Sequence, residues 1–172
     1  MKYGKTKQLT LCGILISMAL VLSYMERFLP LHLIIPLPGI KLGLANIVTL
    51  IALYMLGERS TFMILILRCI LGAVFGGGIS GLAFSLCGGL LAMTIMTFVR
   101  RSRRISVYGV SMLGAAAHNI GQTLIAVVLM GSIYVIGYLP YLLIVSIFTG
   151  LATGAMVSGV LRVLGNTGMA EE

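Results

Sequence analysis

Residues 60–99 read STFMILILRCILGAVFGGGISGLAFSLCGGLLAMTIMTFV, forty residues with a single charge, Arg68. An apolar run of roughly 18 residues is enough to cross a bilayer as a helix, so this stretch is long enough for two passes. Gly76, Gly77 and Gly78 divide it, because three consecutive glycines leave the backbone unrestrained. The reading is one helix over 60–75, a reversal at the glycines, and a second helix over 79–99. Arg100, Arg101, Arg103 and Arg104 then close the second helix with a basic turn.

The pattern extends in both directions. A helix is expected over 9–28. Pro30, Pro36 and Pro38 prevent it from continuing, since proline lacks an N–H and disfavours helix before it. Residues 29–40 therefore form an apolar, non-helical loop. The next helix, 41–57, is short for a full span, and Glu58 with Arg59 makes a tight turn into the helix that starts at Ser60. Two more helices are expected over 106–130 and 134–164. Gly131 to Pro140 is a loop or a bent helix start, and the tail from Gly165 frays. Of the 172 residues, 59% are hydrophobic and only 9% charged, with mean hydropathy +1.12. Soluble domains carry about 25% charged residues, so this chain cannot cover a water-soluble globule. With no polar linker inside it, 1–172 reads as one domain: an all-α integral membrane protein, a bundle of six transmembrane helices. The basic stretch Met1 to Gln8 before an apolar run raises a signal peptide, but no small-x-small cleavage site comes after it, so the run is read as a retained first helix.

The formal net charge of +8 does not point to nucleic acid, because the basic residues sit at helix ends, where they read as anchors touching anionic lipid heads. With a cytoplasmic N-terminus, one side carries Lys2, Lys5, Lys7, Arg59, Arg100, Arg101, Arg103, Arg104 and Arg162, and the other carries Arg27 and Lys41. The positive-inside rule then places both termini in the cytoplasm and the chain in the cell membrane. Cys12, Cys69 and Cys87 lie in apolar stretches without metal-ligand spacing and read as small buried hydrophobes. The chain has no aspartate, and its internal glutamates, Glu26 and Glu58, fall at opposite membrane faces. No phosphate loop, metal site or cofactor site is expected, and no catalytic residue.

Arg68 lies about nine residues into its helix, near mid-membrane at about 1.5 Å rise per residue. A charge there is expensive and marks a site. The alternative, a structural arginine paired to a buried carboxylate, is weakened because no carboxylate is expected at that depth. His118, Asn119 and Gln122 cluster in the fifth helix after Ala115, Ala116 and Ala117, small residues that admit a close neighbour. Each could instead make an interhelical hydrogen bond. Lys41 and Asn46 open the second helix, where Lys41 could simply reach the interface. Together Lys41, Asn46, Arg68, His118, Asn119 and Gln122 form a cationic, hydrogen-bonding set without an acid, suited to an anionic or carbonyl-rich small molecule in the outer half of the bundle. The glycines of the third and fourth helices read as close helix packing. Gly13 with Ser17, and Ala19 with Ser23, are small residues four apart in the first helix, each able to dock a partner helix.

The strings 38–46 (PGIKLGLAN) and 114–122 (GAAAHNIGQ), with Arg68, resemble the Gx transporter family, also labelled heptaprenyl diphosphate synthase component I. That family is similar in turn to the substrate-binding S components of energy-coupling factor transporters. The resemblance implies a six-helix, S-component-like bundle with both termini inside. It would bind a micronutrient from outside and work with a membrane scaffold protein and two cytoplasmic ATPases. It also implies substrate-binding roles for Lys41, Asn46, Arg68, His118, Asn119 and Gln122. S components dock their scaffold through alanines spaced four apart in the first helix; here Gly13 and Ser17 stand at that spacing. The older label implies a different role, a membrane component of prenyl diphosphate or quinone-precursor metabolism. That role would be non-catalytic, because metal-held diphosphate chemistry needs paired carboxylates. The topology is directly testable. Green fluorescent protein fused after Glu172 should fluoresce and alkaline phosphatase fused there should be inactive; the reverse would place the C-terminus outside and end the six-pass reading.

Overall fold

A computed structural model describes residues 4–28, 43–102 and 104–166. The proline-bearing stretch 29–40, Lys2, Lys41, Arg103 and the tail beyond 166 lie outside them. Among the described residues the chain is helical without strands, in the order α1 Lys5–Met25, α2 Ala45–Leu56, α3 Glu58–Gly72, α4 Gly78–Arg101, α5 Val107–Met130 and α6 Leu139–Asn166. Short turns flank them: a 3-10 turn at Glu26–Phe28, a π-type turn at Ala73–Gly77 and a 3-10 turn at Ile133–Tyr138. Four stretches are long and apolar enough to cross a membrane: Lys5–Met25, Glu58–Arg101, Val107–Met130 and Ile133–Gly165.

The glycine reversal is where the sequence places it. Phe75 leaves the helical region (ψ 31°) and Gly76 takes φ 105°, which a residue with a Cβ rarely adopts. The 44 residues of Glu58–Arg101 are thereby split into α3 and α4. The α2–α3 turn differs from expectation. Gly57, at φ 79°, makes the reversal, and Glu58 and Arg59 already belong to the first turn of α3. The Thr61 hydroxyl donates back to the Gly57 carbonyl at 2.8 Å. The second helix is also shorter than the expected 41–57, starting at Ala45 after Leu44.

At 12 residues, α2 is about 18 Å long. Every residue from Ala45 to Leu53 is buried, as befits a helix apolar all round. It packs against each of the other five helices and supplies much of the main core, with Cys12, Leu15 and Ala19 of α1, Ala92 and Met96 of α4, Val110 of α5 and Val157 of α6. Of the Ala19–Ser23 pair, Ala19 is fully buried in this core and Ser23 is half-buried. Gly13 and Ser17 are exposed on α1, and the Ser17 hydroxyl donates to the Gly13 carbonyl at 3.0 Å.

α4, α5 and α6 form an antiparallel layer in which glycines permit backbone approach. A Cβ on Gly121 of α5 would lie 2.7 Å from the Cys87 carbonyl oxygen of α4, and one on Gly150 of α6 would lie 2.5 Å from Met112 Cα of α5. Not every glycine serves packing: nothing lies within 4 Å of a Cβ at Gly81 or Gly78.

The two ends of the bundle differ chemically. At one end, Gln8 Nε2 donates to Ser60 Oγ (2.7 Å), Arg100 Nη1 to the Leu53 carbonyl (2.6 Å), and Arg101 pairs with Glu58 (3.1 Å). These contacts gather the start of α1, the end of α2, the start of α3 and the end of α4. The antiparallel course of α5 and α6 brings Arg104 and Arg162 to that same basic end. The opposite end holds the C-terminus of α1 and the start of α4, and Arg68 and His118 lie between the two ends, beside Gly89 and Gly88 midway along α4.

Gly150→Ala should lower the unfolding temperature in detergent, since overpacking against backbone costs about 1–3 kcal/mol. Gly13→Ala, with open space around it, should leave stability unchanged or raise it through helix propensity. Equal effects from the two would contradict the packing described.

Candidate functional site

The site is built where α2 begins. Gly43 precedes the helix, and its N–H donates to Glu26 Oε1 at 2.5 Å, joining the end of α1 to the start of α2. Glu26 is buried, 4% exposed. A Cβ at Gly43 would sit 2.9 Å from Asn46 Nδ2 and 3.2 Å from the His118 ring, so a glycine there lets α5 approach the α2 entry.

His118 sits between two glycines. On one side is Gly43; on the other is Gly88 of α4, whose absent Cβ would lie 2.9 Å from His118 Cε1 and Nδ1. His118 Nε2 and Gln122 Nε2 are 2.9 Å apart, one helical turn along α5. The donor and acceptor roles in this pair follow the imidazole tautomer, and the other ring nitrogen, Nδ1, faces α4. Both residues are buried, Gln122 completely.

Arg68 of α3 is buried, 6% exposed, on the neighbouring face of α4. Its Nη2 lies 3.3 Å from the position a Gly89 Cβ would take, so adjacent glycines of α4 accommodate His118 and Arg68 respectively. Its Nε and Nη2 have no hydrogen-bond partner among the described residues. The Glu26 carboxylate is within electrostatic reach of the guanidinium. This corrects the expectation that no acid shares its depth: the turn Glu26–Phe28 carries Glu26 into the protein. The neighbourhood of Arg68 is accordingly not free of acids.

Asn46, 6% exposed, also has an unpartnered atom, Oδ1. It borders a cavity of about 10 Å³ lined by Gly43, Asn46, Ser111, Thr149 and Thr153 among others, room for roughly one water. Sequence reading alone misses Ser111, Thr149 and Thr153. Ser111 is within reach of helical periodicity, since 111, 115, 118 and 122 share a face of α5.

Asn119 points elsewhere. Its Nδ2 donates to the Leu142 carbonyl of α6 at 2.8 Å, and the Thr123 hydroxyl donates to the Asn119 carbonyl at 2.9 Å. The structure thus brings together Asn46, His118 and Gln122, with Arg68 beside them across the α4 glycines. It turns Asn119 toward α6, while Lys41 lies outside the described residues. Cys12 and Cys69 are buried and Cys87 half-buried, and none of the three forms a disulfide among the described residues.

Residues 15–160 match the sequence profile of a family described as heptaprenyl diphosphate synthase component I, and the chain belongs to that family. No curated protein and no solved structure matches it.

Asn119→Ala should leave the Leu142 carbonyl without its donor and lower stability by about 1–3 kcal/mol, read as a lower unfolding temperature in detergent. A neutral outcome would mean that the Asn119 amide does not bind α6 in solution.

Proposed function

We propose that this chain is the solute-binding subunit of an importer energised by other proteins, S-component-like, with six membrane passes and both termini in the cytoplasm. In this arrangement the glycine break makes Glu58–Arg101 cross twice, and α2 is a short pass sheltered by its neighbours. The basic end then meets the cytoplasmic leaflet, in keeping with the positive-inside rule, and the opposite end faces outward.

One observation carries the binding role. Arg68 is a buried guanidinium with two N–H-bearing nitrogens, Nε and Nη2, that nothing in the described protein satisfies. Leaving such donors unmet inside a protein costs about 1–3 kcal/mol or more for a charged group, a cost that an acceptor-bearing guest removes. Asn46 and the His118–Gln122 pair supply further hydrogen-bonding groups beside it. With the Glu26 carboxylate within electrostatic reach of Arg68, a carbonyl-rich guest suits the site as well as a carboxylate. Ligand sites for small molecules occupy roughly 300–1,000 Å³, far more than the cavity beside Asn46. Loading therefore parts α2 from α5 next to the Glu26–Gly43 hydrogen bond. The exposed Gly13–Ser17 face of α1 is the candidate surface for the scaffold protein, with ATPases completing the assembly.

The family description favours a second reading, a membrane component serving prenyl diphosphate metabolism. Glu26 and Glu58 sit at opposite ends of the bundle, so they cannot jointly hold the metal of a diphosphate. On this reading too the chain binds or presents a molecule and performs no catalysis.

Native mass spectrometry of the protein purified in mild detergent tests both. The wild-type chain should carry a small polar or carboxylated adduct that Arg68→Gln loses while still giving a monodisperse, cooperatively unfolding protein. A prenyl diphosphate adduct would favour the second reading. An adduct retained by Arg68→Gln would remove Arg68 from the site.

A further inference from the structure

The basic end carries a groove of about 550 Å³ between α3 and α4. Its chemistry changes with depth. At the mouth stand Arg59, Arg101 and Glu58. One helical turn further in are Phe62 on α3 and Thr97 on α4; deeper still are Met93 and Leu90. From Arg101 to Leu90 the wall of α4 rises about 16 Å, roughly half of a hydrocarbon core about 30 Å thick. The groove is thus as long as one leaflet is deep, charged at its mouth and apolar along its floor.

The charges at the mouth are unevenly committed. Arg101 donates from Nε and Nη2 to Glu58, and Arg100 is occupied by the Leu53 carbonyl and lies over the Tyr54 ring at 4.7 Å. Arg59 is exposed and makes no hydrogen bond or ion pair among the described residues. Glu58 is the one carboxylate among the described residues of this end, against Lys5, Lys7, Arg59, Arg100, Arg101, Arg104 and Arg162. One turn below Arg101, the Thr97 hydroxyl oxygen is buried without a partner, whereas the Thr94 hydroxyl bonds back to the Leu90 carbonyl at 2.8 Å.

We infer that this groove is a binding site for an anionic phospholipid of the leaflet that meets the basic end. The lipid phosphate is held at Arg59, with the remaining Arg101 nitrogen beside it. The Thr97 hydroxyl donates to an ester oxygen at glycerol depth, and one acyl chain lies along Phe62, Met93 and Leu90. A soluble phosphate would leave the apolar floor unused, and a zwitterionic lipid would leave the mouth's positive charge unmatched.

Native mass spectrometry of delipidated protein, titrated with phosphatidylglycerol and with phosphatidylcholine of the same acyl chains, reads the site. The wild type should retain phosphatidylglycerol at least fivefold better. Arg59→Gln should reduce that preference at least twofold, and Arg59→Gln/Arg101→Gln should abolish it. Lys5→Gln/Arg162→Gln removes the same charge from the same end outside the groove and should keep the preference. Thr94→Trp, which fills the groove from its exposed edge, should reduce retention of both lipids. Equal retention of the two lipids by the wild type would overturn the proposal. So would an unchanged preference in Arg59→Gln, an equal loss in the charge-matched control, or full retention by Thr94→Trp.

Discussion

The structure depends on how an arginine is kept inside an apolar bundle. Removing a charge from water costs several kcal/mol after relaxation, and Arg68 has no solvent to turn to. Three features answer that cost. Glu26 turns inward at the end of α1 and brings a carboxylate within electrostatic reach. Gly89 leaves space on α4 where any side chain would press on Arg68 Nη2. Gly43, whose N–H holds Glu26, keeps that carboxylate at the α2 entry. The groups still unsatisfied, Nε and Nη2, are the part of the guanidinium open to a guest.

The same arrangement explains the glycines around it. Gly88 and Gly89 are consecutive and therefore about 100° apart around α4, so one meets His118 of α5 and the other Arg68 of α3. Gly121 brings the α5 backbone onto Cys87 and Gly88, and without that approach the imidazole would not reach α4. The packing of α4 and α5 and the assembly of the polar cluster are one feature of the sequence.

Helix existence and the glycine reversal are readable from hydropathy and breakers, because these properties run along the chain. Direction around each helix is not. Asn119 and His118 are neighbours in sequence, yet one is bonded to Leu142 of α6 and the other packs between Gly43 and Gly88. In sequence Glu26 reads as an interfacial acid, since a linear reading cannot show that the 3-10 turn after Met25 carries it inward. Thr149 and Thr153 give no signal of their own, because hydroxyls in a membrane helix usually bond their own backbone, as Thr149 does to the Val145 carbonyl at 3.1 Å. Only the fold shows that both also border the cavity beside Asn46.

The bundle thus buries an arginine with a carboxylate in its electrostatic reach and gathers its basic surface at one end. The account requires Glu26 and Arg68 to stabilise each other, and a double-mutant cycle measures whether they do. Thermal unfolding of Glu26→Gln, Arg68→Gln and the double variant would be compared with wild type in one detergent. Gln retains an acceptor for the Gly43 N–H at 26, so the cycle isolates the charge. Glu26→Gln, which strands the buried cation, should lose much stability. The double variant should recover part of it, a coupling of about 0.5–3 kcal/mol. Losses that simply add would show that the two groups do not feel each other, and that Arg68 is accommodated in some other way.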